Sequence, residues 1–170
     1  MSINLINSQG TILYVLPKPT TPWADCTEAV TAIKTTGKQV MCPQDLGEIQ
    51  RTREMKEYSC LSSNETYKAT GSMTLGEVTV GMLFDPTDAA GQDFLYTSFE
   101  DNTDFIFAFE LPDADTSAGE TDASGTMFWY EGVLVGDAIS VPIDEAILYS
   151  VTISLAGEQT KCPMVPGTTP

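Results

Sequence analysis

The chain has 170 residues, 42% of them apolar, and a formal net charge of −16 with no histidine. That length and apolar share suit one domain with its own core, and no apolar run approaches the ~20 residues that a bilayer span needs. Without histidine neither a Ser-His-Asp triad nor a Cys-His pair can exist, and so acidic a surface repels phosphate backbones rather than gripping them.

The charge is unevenly placed. Residues 1–68 hold seven acids and seven bases, whereas residues 69–170 hold seventeen acids against Lys161 alone. Aromatic and aliphatic residues alternate too regularly in that second part for a disordered acidic segment. Its plainest role is a solvated surface that aids solubility. Met1-Ser2-Ile3-Asn4 lacks the basic start and small-residue cleavage site of a secretion signal, so synthesis and folding in a cytoplasm are expected. In that compartment Cys26, Cys42, Cys60 and Cys162, which form no Cys-x-x-Cys pair, are expected as small buried hydrophobes rather than as a disulfide framework. Asn64-Glu65-Thr66 matches a glycosylation pattern that means little without a secretion signal. No phosphate-binding loop or dinucleotide fingerprint occurs, so neither an enzyme nor a cofactor is expected.

In chain order, residues 10–16 read as a strand with Ile12, Tyr14 and Leu16 on one face, ended by Pro17, Pro19 and Pro22. Residues 23–36 carry Cys26, Ala29, Val30 and Ile33 at helical spacing before Gly37, with partial extension as the alternative. Residues 38–64 show poor periodicity. They hold Leu46, Ile49 and Met55 among Glu48, Arg51, Arg53, Glu54, Lys56 and Glu57, and so long a loop in a compact domain usually has something to bind. The competing structural account is a strand pair with an irregular connection. Residues 58–70 fit a strand whose weakly apolar face looks at water.

Residues 67–111 form the centre of the chain, a strand over 70–84, a helix and a strand over 105–111. Met73 and Leu75 share one parity and Val78, Val80, Met82 and Phe84 the other, so a bulge or bend is expected at Gly76. Asp85-Pro86-Thr87-Asp88 supplies a capping start for the helix, which stops near Asn102. Phe94, Leu95, Ser98 and Phe99 make the stripe that packs on the sheet, and Gly91 weakens the helix slightly.

Residues 111–125 read as a polar turn. Asp113, Asp115, Glu120 and Asp122 invite a calcium reading, but their spacing departs from the EF-hand loop and a solvated hairpin tip fits better. The last strands are 126–135 and 146–156, joined across 136–145. Ile147, Tyr149, Val151, Ile153 and Leu155 alternate with polar residues, as in a half-buried antiparallel strand. Residues 1–160 are read as one domain and 161–170, with three prolines, as a tail. The fold class is mainly β: a sandwich or partial barrel of antiparallel strands with one flanking helix and a second, shorter N-terminal one.

Phe128-Trp129-Tyr130-Glu131-Gly132-Val133, followed by Val141-Pro142-Ile143-Asp144-Glu145-Ala146-Ile147 and Tyr149-Ser150-Val151-Thr152-Ile153, resembles the carboxy-terminal half of a bacteriophage major tail tube protein. The likeness is to the lambda-like, long non-contractile-tailed group and extends over about residues 38–157, as patterns of parity and length. Nothing matches the extra immunoglobulin-like domain of some members. The resemblance implies hexameric rings stacked into a hollow tube, built in the host cytoplasm and carried in the virion, with tape-measure and terminator proteins as partners and no membrane.

On that reading the loop 38–64 reaches the adjacent ring, with Leu46, Ile49 and Met55 buried there and Arg51, Arg53 and Lys56 facing its acids. Open strand edges, a hazard in a lone molecule, would be completed by identical copies. Six copies at −16 give a formal −96 per ring, and the share lining the bore would repel DNA within roughly 8 Å of the wall, so DNA passes without specific binding. Glu65, Glu131 and Asp137 are the candidate lumen acids. The alternatives are another virion ring or decoration component, such as a tail terminator or capsid-binding module, and a calcium-dependent binding domain.

Overall fold

The computed structural model describes residues 8–59, 65–114 and 124–164. Its elements in order are β1 (Ile12–Pro17), α1 (Cys26–Thr36), β2 (Lys38–Gln39), β3 (Pro43–Asp45), β4 (Arg51–Ser59), β5 (Thr66–Leu75), β6 (Glu77–Leu83), α2 (Gln92–Glu100), β7 (Phe105–Glu110), β8 (Met127–Ser140) and β9 (Leu148–Cys162). Seven strands form one antiparallel sheet in the order β2-β1-β7-β8-β9-β6-β3, and β4 and β5 pair separately. Of the two expected forms this is the partial barrel, a sheet curled into a half-barrel.

The curl follows from apolar residues on both faces. Leu13 and Val15 of β1, Phe105 and Phe107 of β7, Val78, Val80 and Met82 of β6, and Tyr149, Val151 and Ile153 of β9 meet in one core that Leu95 of α2 enters. The opposite side of β1 and β7 offers Leu16, Ile106 and Ala108 to Val30 and Ile33 of α1. β1 therefore has two buried faces rather than the single one formed by Ile12, Tyr14 and Leu16. α1 begins at Asp25, which accepts from the Glu28 N–H (2.8 Å), while the Glu28 carboxylate accepts from the Ala24 N–H (2.8 Å), a variant of the capping box.

Both margins of the sheet are held by one strap. β2 pairs with β1 at one edge and β3 with β6 at the other, so residues 38–45 cross the open side of the curl. The strap is locked by two buried polar side chains. Asp88 accepts from the N–H groups of Met41 (3.1 Å), Gly91 (2.8 Å) and Gln92 (3.2 Å), and the Gln92 amide donates to the carbonyls of Leu83 (2.7 Å) and Met41 (3.4 Å). α2 thus starts at Gln92 rather than at 85–88, because Asp88 spends its acceptors on the strap as well as on the helix. A side chain at Gly91 would meet the Gln39 carbonyl and the Val40 Cα at under 3 Å, so the glycine permits the strap's close approach rather than weakening a helix interior.

Other expectations change too. The stretch 38–64 contains β2, β3 and β4, and the expected strand over 58–70 is the two ends of the β4–β5 pair, with 60–64 outside the described residues. β8 runs five residues beyond 135 and β9 continues to Cys162, two residues into the expected tail. Long mutual pairing carries Gly136, Asp137 and Lys161 into the ladder against their own weak strand preference. Cys26 and Cys162, expected as separate hydrophobes, are disulfide-bonded, with Cα atoms 5.3 Å apart. They clip α1 to the last strand. Cys42 is free and exposed, and Cys60 lies outside the described residues.

Candidate self-assembly surfaces

β4 and β5 extend from the core, which they meet at their root through Leu75. Every residue of β4 is exposed, and β5 is exposed except at Gly71 and Leu75, which are half-buried. The pair is held by its ladder and by cross-strand side chains: Glu57 to Lys68 (2.9 Å), the Thr52 and Thr74 hydroxyls (2.9 Å), and Tyr58 opposite Tyr67. Each such contact is worth roughly 0.2–1 kcal/mol, and a two-stranded ribbon with no buried face is marginal alone. A register shift between Arg53 and Met55 sets Glu54 against Gly71 and Ser72, a bulge that leaves the alternation of β4 intact.

That register sorts the predicted contact residues. Arg51, Arg53 and Met55 share one face with Met73, whereas Lys56 lies on the other with Tyr58 and Tyr67. Arg51, Arg53 and Lys56 take part in no ion pair among the described residues. Leu46 and Ile49 are half-buried against this chain's own core, so only part of each side chain is left for a neighbour. Met55, 55% exposed, Tyr58 (56%) and Tyr67 (59%) remain.

The hairpin also differs in charge. Residues 51–75 hold four bases, Arg51, Arg53, Lys56 and Lys68, against Glu54, Glu57 and Glu65, a net +1; the rest of the chain is therefore −17.

The three predicted lumen acids occupy separate places. Glu65 precedes β5 and accepts from the Tyr67 hydroxyl (2.9 Å). Glu131 is ion-paired with Lys18 at 2.7 Å, next to the edge-to-face pair of Trp23 and Trp129, so its charge is largely compensated within the chain. The pairing raises the Lys18 pKa, chiefly through the hydrogen bond to Glu131. Asp137 is half-exposed on β8 and adds to the effect of burial on Tyr149, whose phenol is pushed up to about 12. The helix face Phe94, Leu95 and Phe99 lies on the core, with Leu95 fully buried and the two rings half-buried.

A second exposed surface escaped the sequence reading. Where β8 turns into β9, Ile139, Val141, Ile143, Ile147 and Leu148 are exposed, Val141 at 70% and Ile143 at 90%. Asp144 turns the chain there with a φ of 61°. The signal was present in Ile139-Ser140-Val141-Pro142-Ile143, where apolar residues continue to alternate past the expected end of the strand. Of the acidic-turn residues, Asp115, Glu120 and Asp122 lie outside the described residues. Asp113 is engaged, accepting from the Thr126 N–H (2.5 Å) and hydroxyl (2.6 Å). No group of three or more potential metal ligands occurs among the described residues.

No family model matches the chain, and no curated protein matches it in sequence. Solved structures do. A chain of the six-fold symmetrised anti-feeding prophage baseplate superposes with a TM-score of 0.63 at 10% identity, over 96% of this chain and 98% of that one. A chain from the sheath/tube terminator of an extracellular contractile injection system gives 0.62 at 10% identity, over 95% and 99%. The SPP1 tail tube gives 0.60 at 12% identity, over 96% and 80%. The fold is shared. These matches include contractile systems, so the fold does not single out the non-contractile group.

Proposed function

We propose that this chain is a structural, non-catalytic subunit of a virion tail tube, assembling as hexameric rings stacked into a hollow conduit for viral DNA. The observation that carries the reading is the β4–β5 hairpin: two strands with unpaired outer edges, exposed aromatics and net positive charge, on an otherwise acidic body whose fold recurs in tail-tube and injection-system proteins. Such edges invite pairing, and a closed ring satisfies them without aggregation. The body at −17 supplies acids for the hairpin of a neighbour and repels DNA from the bore. The non-contractile group rests on the sequence resemblance alone. Tape-measure and terminator proteins are the further partners of this reading.

Negative-stain microscopy of the purified chain tests it. Rings that elongate into tubes are expected, and Arg51→Glu with Arg53→Glu stops elongation while circular dichroism stays unchanged. A chain that remains monomeric at every concentration overturns it. A terminator ring is a second reading, favoured by the likeness to a sheath/tube terminator; it predicts discrete hexamers that never elongate.

A further inference from the structure

We propose that the apolar turn between β8 and β9 is the receptor for the β4–β5 hairpin of the next copy, so that subunits stack head to tail. This rests on the tube reading and names the partner surface it needs. The placement follows from β6. At one end Glu77 is opposite Ser154 and Gly76 joins β6 directly to β5, so the hairpin projects beyond that end. At the other end Leu83 is opposite Leu148, and the Phe84 N–H donates to the Ile147 carbonyl, so the β8–β9 turn caps that end. Seven residues of strand separate the two surfaces by roughly 20 Å.

The surfaces are complementary in chemistry. The hairpin offers Tyr58 and Tyr67 on one face and Met55 on the other, with four bases along it; the turn offers Val141, Ile143 and Ile147, and residues 137–148 carry Asp137, Asp144 and Glu145 with no base. Each apolar group is exposed in the single chain, and the hairpin's net +1 faces a turn of net −3. Two different patches at opposite ends make a heterologous contact, which propagates along an axis where its rotation does not close a ring. Rim charges steer the encounter and the apolar centre holds it.

Carbodiimide cross-linking of wild-type tubes, followed by peptide mass spectrometry on mixed isotope-labelled copies, tests this directly. Links from Lys56 or Lys68 of one copy to Asp144 or Glu145 of another are expected. Links from Lys56 or Lys68 to carboxylates elsewhere in another copy, with none to Asp144 or Glu145, overturn the proposal. Val141→Asp with Ile143→Asp, at exposed positions where folding is unaffected, is expected to lower pelleted tube at least about tenfold while rings persist. Asp144→Lys with Glu145→Lys is expected to restore elongation to the Arg51→Glu, Arg53→Glu chain. Tubes unchanged by the turn substitutions overturn the docking surface but leave the tube reading standing, whereas a wild-type chain that forms neither rings nor tubes overturns that reading itself.

Discussion

The curled sheet and the β4–β5 hairpin are both antiparallel, yet they are stabilised in opposite ways. The sheet is held by burial: Phe105, Phe107, Val80 and Ile153 are fully enclosed, and α2 and the strap close its open side. The hairpin has no enclosed side chain and rests on its ladder and a few surface pairs. On the proposed reading, a chain that keeps so long an exposed ribbon places its stability in one region and its surface for association in another.

The largest expected effect separates the two regions. Phe107→Ala removes a fully buried ring from the sheet core and is expected to cost roughly 4 kcal/mol in denaturant unfolding of the single chain, with assembly lost as a consequence. Cutting the Cys26–Cys162 bridge, which closes α1 onto the last strand across 136 residues, is expected to cost about 3 kcal/mol. Thermal melts with and without reductant, compared with Cys26→Ser, measure it. An unchanged melt would mean that the packing of Val30 and Ile33 holds α1 unaided.

A smaller effect concerns alkaline pH. The Tyr149 phenol is raised to about 12 from an ordinary 10.0, first by burial and then by the charges of Asp137 and Tyr96. The unfolded chain therefore gives up this proton first, and stability falls as pH rises from about 10 to about 12. Burial also raises Tyr14 and Tyr130, so Tyr149→Phe is expected to remove part of that fall in urea titrations. Because the Tyr149 hydroxyl has no hydrogen-bond partner among the described residues, the substitution should change neutral-pH stability by under about 1 kcal/mol. Smallest of all in the single chain is Tyr58→Ala with Tyr67→Ala, expected within about 0.5 kcal/mol because both rings are exposed. The same pair should nevertheless impair tube growth strongly in a pelleting assay. Loss of stability without loss of growth would reverse the division between the two regions.

Legibility in the sequence followed the same division. The parity change at Gly76, the apolar strand over Phe105–Glu110 and the α2 stripe could be read because one-sided burial imposes a period on the sequence. β4 and β5 bury neither face, so no period marks them, and Arg51 to Ser59 looked like an irregular loop. The roles of Asp88 and Gln92 were hidden for another reason, since their partners Met41 and Leu83 are brought to them by tertiary structure. The pairing of Cys26 with Cys162 was equally non-local, and an argument from compartment pointed away from it. In the candidate contact, Arg51, Arg53, Lys56 and Met55 were identifiable as charged or apolar residues without a core pattern, but not their division between two faces, which depends on pairing with β5.

Gly76 has one more consequence. It is the sole residue between β5 and β6, it donates to the Gln50 carbonyl at 3.1 Å and accepts from the Leu155 N–H at 3.3 Å, and a methyl group there would touch nothing closer than 3.8 Å. The ribbon beyond it is a lever of roughly 30 Å, so a pivot of about 5° at its root displaces the far end by about 2.5 Å. Pitch in a stack of such subunits would then be tuned at a single joint, leaving the interior packing untouched.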